Sequence, residues 1–130
     1  MKIPADLKFT EDHEWIKVED NNIGIIGITD FAQSELGDIV YVEVDTLGET
    51  LAKDEVFGTI EAVKTTSDLL LPVSGEILEF NPLLDESDGD DPELINKDPY
   101  GKGWIIKIKI SDISELEELM DDESYESLIS

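Results

Sequence analysis

From Glu14 to Ile110 the chain reads as a succession of short segments in which apolar residues recur at every second position, separated by turn residues. A period of two places successive side chains on opposite faces of a strand, so the pattern commits the chain to a mostly β fold. The cleanest case follows Trp104, where Ile106, Ile108 and Ile110 oppose Ile105, Lys107 and Lys109. Glu14 to Glu19, Ile23 to Ile28, Ile39 to Val44, Glu55 to Val63, Leu69 to Leu71 and Gly75 to Phe80 supply the other strands. Asn21-Asn22 marks the first turn, and Val40, Val42 and Val44 are expected on one face.

The remaining segments are short. Thr29 to Gln33 reads as a helix start, with Asp30 and Gln33 in a relaxed capping-box spacing and Gly37 as the stop. Pro82 to Gly103 has loop chemistry with one helical turn expected at Glu93 to Asn96. Residues 1–10 read as an extended lead-in, Pro4 blocking an early helix. Residues 112–130 read as helical. Ser114 and Glu117 are spaced as a capping box, with Leu116, Leu119 and Met120 on one face. Asp122 is expected to cap a second helix with Tyr125, Leu128 and Ile129 inward. A length of 130 residues suits one domain, 1–130. Periodicity leaves a sandwich and a small barrel both open.

Composition removes several function classes. The net charge is −24, and all nine basic residues are lysines, which disfavours phosphate and nucleic-acid binding and favours solubility or docking onto basic surfaces. Without cysteine there are no disulfides, thiolate metal sites or cysteine nucleophiles. His13, the only histidine, cannot build a multi-histidine metal site and reads as structural. The acidic loop Asp85 to Asp91 fails as a calcium loop, because Gly89 at the central position would make Leu84 and Ile95 the end ligands. Trp15 and Trp104 read as core or rim anchors. Apolar runs such as Leu69 to Leu71 are too short to span a bilayer, and the N-terminus has no signal-peptide core, so a cytoplasmic location is expected.

The segment that carries chemistry is Glu61-Ala62-Val63-Lys64, followed by Ser67-Asp68, Pro72 and Gly75. One strand runs into Lys64 and another leaves after Thr66, which puts Lys64 near the tip of a hairpin. No Asn-Gly or Gly-X pair marks that turn. Taken alone, such a lysine is an ordinary solvated charge.

This segment resembles the attachment site of lipoyl carrier domains. His13-Glu14-Trp15, Gly27 to Gln33, Leu36 to Val40, and Leu94 to Tyr100 with Gly103-Trp104 resemble the glycine cleavage H-protein family in unbroken order, from about Leu7 to the C-terminus. The resemblance implies a barrel-sandwich hybrid of the lipoyl/biotinyl-carrier kind, with the modified lysine on an exposed hairpin, short helices and a helical C-terminal end. It implies lipoate covalently attached at Lys64, with Glu61 and Gly75 at positions used in recognition by lipoylating enzymes. Gly75 has a further reading as a turn former. Glu14, Asp68 and Asp12 are placed beside a cleft for the loaded arm.

The same resemblance implies a non-catalytic carrier with no catalytic or metal-ligating residue of its own. Its partners would be the pyridoxal-phosphate enzyme glycine decarboxylase, the tetrahydrofolate-dependent aminomethyltransferase, the FAD enzyme dihydrolipoamide dehydrogenase, and a lipoate ligase or octanoyltransferase. A monomer is expected, without nucleic acid or membrane as partner. The chain departs from the family in three places. Ala62 stands where relatives commonly have Ser, Asp12 where they often have a hydroxyl residue, and the acidic loop is longer. Ala62 also occurs in biotin carriers, but Val63 replaces the methionine that precedes their lysine. A lipoate relay to other enzymes, a biotin-type carrier and an unmodified β-domain adaptor are the alternative readings.

Overall fold

A computed structural model of the chain describes residues 2–130. Among the described residues nine strands form two sheets: β1 (Lys8–Phe9), β2 (Glu14–Glu19), β3 (Ile23–Ile28), β4 (Ile39–Glu43), β5 (Thr50–Leu51), β6 (Val56–Ala62), β7 (Thr66–Leu70), β8 (Gly75–Phe80) and β9 (Ile106–Ile110). The larger sheet has the order β1-β2-β3-β9-β8-β5 and the smaller the order β4-β6-β7, with every pairing antiparallel. Helices α1 (Asp30–Leu36), α2 (Leu94–Lys97) and α3 (Asp122–Ile129), with a 3-10 turn at Ile113–Glu118, lie between and after the strands. The arrangement is a barrel-sandwich hybrid. No described helix is long and apolar enough to cross a membrane.

The main core fills the space between the sheets. Ile26, Ile106 and Ile108 of the larger sheet meet Val42, Phe57, Ile60 and Leu69 of the smaller one, all buried. Each such side chain contributes roughly 1.5–3 kcal/mol on burial. A second cluster lies on the other side of the larger sheet, where Leu7, Phe9 and Trp15 are covered by Tyr125 of α3. The Phe9 and Tyr125 rings stack with centroids 4.7 Å apart. Trp15 Nε1 donates to the carbonyls of Ile28 and Pro99, so the indole is buried without an orphaned donor.

Several local expectations are adjusted by the structure. Val40 sits at a β-bulge between Ile39 and Tyr41, which turns it outward while Ile39 and Val42 stay buried, so Val40, Val42 and Val44 do not share a face. Helix α1 is capped one residue earlier than the Asp30–Gln33 spacing implies: Thr29 Oγ1 accepts from Ala32 N–H, and Gln33 Nε2 donates to Asp30 Oδ1. Asp112 caps the 3-10 turn in place of Ser114, and Asp121 caps α3 in place of Asp122, each accepting the backbone N–H of a serine. Leu128 faces solvent. Asn21 and Asn22 turn the chain with left-handed backbone, φ 64° and 60°.

Candidate hairpin and cleft

Strands β6 and β7 pair with Glu61 opposite Thr66 and Ile60 opposite Ser67, which leaves Ala62 to Thr65 as a four-residue tip. Ala62 N–H donates to Thr65 O at 2.8 Å and closes the tip. Neither Val63 nor Lys64 has left-handed backbone, so this is neither of the favoured two-residue hairpin turns. That is why the sequence marks the turn so weakly. A bond from outside the hairpin helps to fix it: Val63 N–H donates to Asp38 O at 3.1 Å.

Lys64 is exposed, and among the described residues its Nζ has no hydrogen bond or ion pair. Val63 beside it is 70% exposed, an unusual display for a branched apolar side chain. Glu61 is exposed on β6 close to the tip. Gly75 is elsewhere. It lies buried in β8, pairs with Ile110 and has no left-handed φ. A Cβ there would meet the Lys109 carbonyl oxygen at 2.6 Å, so its missing side chain serves the close approach of β8 to β9 rather than a turn.

A cleft of about 260 Å³ opens along the outer side of β7. Ile28, Ala32, Leu36, Ile60 and Leu69 make its apolar walls, and Asp12, Glu14, Glu35 and Asp68 are its acids. The structure therefore brings together Glu14, Asp68 and Asp12. Ser67 and Asp68 line it three and four residues after Lys64, at most roughly 10–13 Å along the chain.

Glu14 is the distinctive member. Its side chain is only 3% exposed, while Asp12 and Asp68 face solvent. Its carboxyl accepts from Thr10 Oγ1 at 2.9 Å and from Leu70 N–H at 3.3 Å. Burial pushes the carboxyl up to about 8 against the pull of those two donors, and the charges of Asp12 and Asp54 push the same way. Glu14 is therefore mostly neutral at pH 7 while the cleft stays free of positive charge. An ammonium entering the cleft would displace that proton and pair with the carboxylate, so the site suits a slender apolar chain with a cationic tip.

His13 forms part of the same wall with left-handed backbone, φ 68°. Burial lowers its pKa, opposed by Asp12 and Glu35. Its Nδ1 shares a 2.8 Å hydrogen bond with Tyr125 OH, which also bonds Thr29 Oγ1 at 2.7 Å. The C-terminal helix thus ties together the two loops that frame the cleft. Glu35, Thr10 and Tyr125 are not singled out by the sequence as site residues, and no spacing or motif marks them.

The family model described as Glycine cleavage H-protein matches residues 7–130. The chain belongs to the glycine cleavage H-protein family. It is 55% identical over 130 residues to the glycine cleavage system H protein of Bacteroides thetaiotaomicron, covering 100% of this chain and 99% of that one. It is also 55% identical over 130 residues to the H protein of Chlorobium limicola, covering 99% and 98%. Among solved structures it is similar to a glycine cleavage system H protein from Mycobacterium marinum, with a TM-score of 0.85 at 37% identity over 96% of this chain and 97% of that one. As an H-protein-family chain it is a lipoyl carrier of the glycine cleavage system.

The long acidic loop of this H-family chain folds back on itself. Gly89 and Asp91 N–H groups donate to the carbonyls of Pro82 and Leu83, and Leu84 plugs into the core. Its far end, Asp90 to Glu93, lies beside Ile39 and Val40. That places the loop next to the strand that pairs with Ala62, nearer the hairpin than its sequence position indicates.

Proposed function

We propose that this chain works as one non-catalytic carrier domain, modified on Lys64 Nζ with lipoate by a lipoate ligase or octanoyltransferase. It takes the aminomethyl group of glycine from the pyridoxal-phosphate glycine decarboxylase to the tetrahydrofolate-dependent aminomethyltransferase. Dihydrolipoamide dehydrogenase, an FAD enzyme, then reoxidises it. The observation that carries this reading is the placement of an exposed, unengaged lysine at a hairpin tip, beside a cleft with apolar walls and a buried carboxyl.

Those residues fit a lipoyl group. Lys64 offers a free primary amine for acylation, held on a strand pair rather than on a loose loop. When bound, lipoate would supply the disulfide–dithiol couple through which a one-carbon unit is carried and which the dehydrogenase returns to the disulfide. The protein supplies presentation and shelter. Ile28, Leu36 and Leu69 give the arm apolar contact, Glu14 neutralises a cationic tip, and Asp12 and Asp68 attract it at the mouth. Exclusion of water by those walls would slow premature loss of the cargo. Glu61 gives a modifying enzyme a carboxylate near the tip, and exposed Val63 gives it apolar surface. The charge of −24 supports docking onto basic entrances, work as a monomer, and partners that are neither nucleic acid nor membrane. The cytoplasm is the location proposed for this work.

Incubation of the recombinant chain with a lipoate ligase, ATP and lipoate tests the reading. One lipoyl adduct is expected on the wild-type chain and none on Lys64→Ala, with unfolding free energies that agree within about 0.5 kcal/mol because the side chain lies outside the core. An adduct retained by Lys64→Ala would sink the assignment.

A further inference from the structure

The stretch Leu94 to Tyr100 carries part of the family resemblance, yet it belongs neither to the hairpin nor to the lining of the cleft. Asn96 connects it to both. From α2 its side chain reaches the connection between α1 and β4. There Oδ1 accepts from Ile39 N–H at 2.9 Å, while Nδ2 donates to Gly37 O and to Gln33 Oε1, each at 2.9 Å. Three of the four hydrogen-bonding positions of the amide are engaged on one short segment. Between Gly37 and Ile39 stands Asp38, and its carbonyl is the acceptor for Val63 N–H.

Val63 is the residue before Lys64. The tip around it lacks left-handed residues that would preset its shape, and one cross-strand bond closes it. An exposed tip held so lightly opens easily unless a second fixed point restrains it. The Asp38 carbonyl is that point, and it is only as steady as the segment that Asn96 grips.

We infer that Asn96 is a positioning residue for the modification of Lys64, acting through Gly37–Ile39 and the Asp38–Val63 hydrogen bond to hold the hairpin tip in the pose a lipoylating enzyme recognises. Only an amide serves. Aspartate at this position would keep the acceptor for Ile39 N–H but would set a carboxylate oxygen against Gly37 O and Gln33 Oε1. The inference rests on the reading of Lys64 as the modified residue.

The test compares wild type, Asn96→Ala and Asn96→Asp as full-length chains. Amide hydrogen exchange is followed by NMR, and kcat and KM are measured for lipoylation by purified lipoate ligase with ATP and lipoate. The aspartate variant is nearly isosteric and keeps the experiment decisive if the alanine variant is poorly folded. In the variants the Val63 amide is expected to exchange at least about tenfold faster relative to core amides such as Ile26 and Ile60. KM for the chain should rise about fivefold or more with kcat little changed, because only the fraction of tips in the competent pose binds the ligase. Val63 exchange that merely follows Ile26 and Ile60 would reduce Asn96 to a cap for α1 and overturn the inference. Faster Val63 exchange with unchanged KM would overturn it as well. A wild-type chain that takes no adduct at Lys64 would remove the carrier reading and this inference with it, whereas a modified wild type matched by its variants removes the inference alone.

Discussion

Replacing Glu14 by Gln separates a neutral buried acid from an ionised one. Glutamine keeps one oxygen, which can accept from Leu70 N–H while its amide N–H faces Thr10 Oγ1, and it cannot titrate. In the folded wild type the carboxyl is raised from 4.5 to about 8. A group raised in the folded state contributes stability that is full below its unfolded pKa and is lost as pH climbs to the folded one. Wild type should therefore lose stability relative to Glu14→Gln from about pH 4.5 to about pH 8, and then stay level. Integrating the shift between pH 5 and pH 9 gives a change of about 4 kcal/mol in the difference between the two proteins. With a urea slope of roughly 2 kcal/mol/M, that is a relative movement of roughly 2 M in midpoint. Urea unfolding of both proteins at several pH values, followed by tryptophan fluorescence, gives the number directly. Comparing two proteins at each pH cancels the repulsion among the other carboxylates. A difference that stays constant from pH 5 to pH 9 would refute the argument, since Glu14 would then be ionised and solvated in the fold. A difference of the opposite sign would mean that its two donors outweigh burial.

Two further substitutions probe the frame around the cleft. Tyr125→Phe deletes one hydroxyl, leaving His13 Nδ1 without its partner and Thr29 Oγ1 with only the Ala32 N–H, so chemical denaturation should show a loss of about 1–3 kcal/mol. Gly75→Ala places a methyl against the Lys109 carbonyl and should cost about 1–3 kcal/mol in the same assay, by forcing β8 away from β9.

The strands were legible because a half-buried sheet forces a period of two, and Ile106 to Ile110 shows it without exception. Where the structure departs from the sequence reading, the cause is local and specific. One extra residue at Val40 reverses the parity of β4, and no composition signal announces a bulge. Caps shifted by a residue or two because Thr29-Asp30, Asp112 to Ser114 and Asp121-Asp122 each offer adjacent residues with the same capping chemistry. Strands β1 and β5 have two residues each and are too short for any periodicity to emerge. The hairpin was legible from its flanks and the family resemblance, not from its turn, whose shape leans on the Asp38 carbonyl. The cleft acids came from family resemblance; nothing in the sequence distinguishes buried Glu14 from exposed Asp12 two residues earlier. Tertiary folding also adds Glu35 and Tyr125, which no spacing connects to Lys64.

Digestion of protein isolated from its own cells addresses the carrier assignment most directly. Trypsin cuts after lysine and cannot cut after an acylated one, so modification at Lys64 should yield a joined peptide spanning residues 54–97 that carries one lipoyl or octanoyl mass. Complete cleavage after Lys64, giving 54–64 and 65–97 at their unmodified masses, would contradict the account, and a biotinyl mass on the joined peptide would redirect it to the other carrier chemistry.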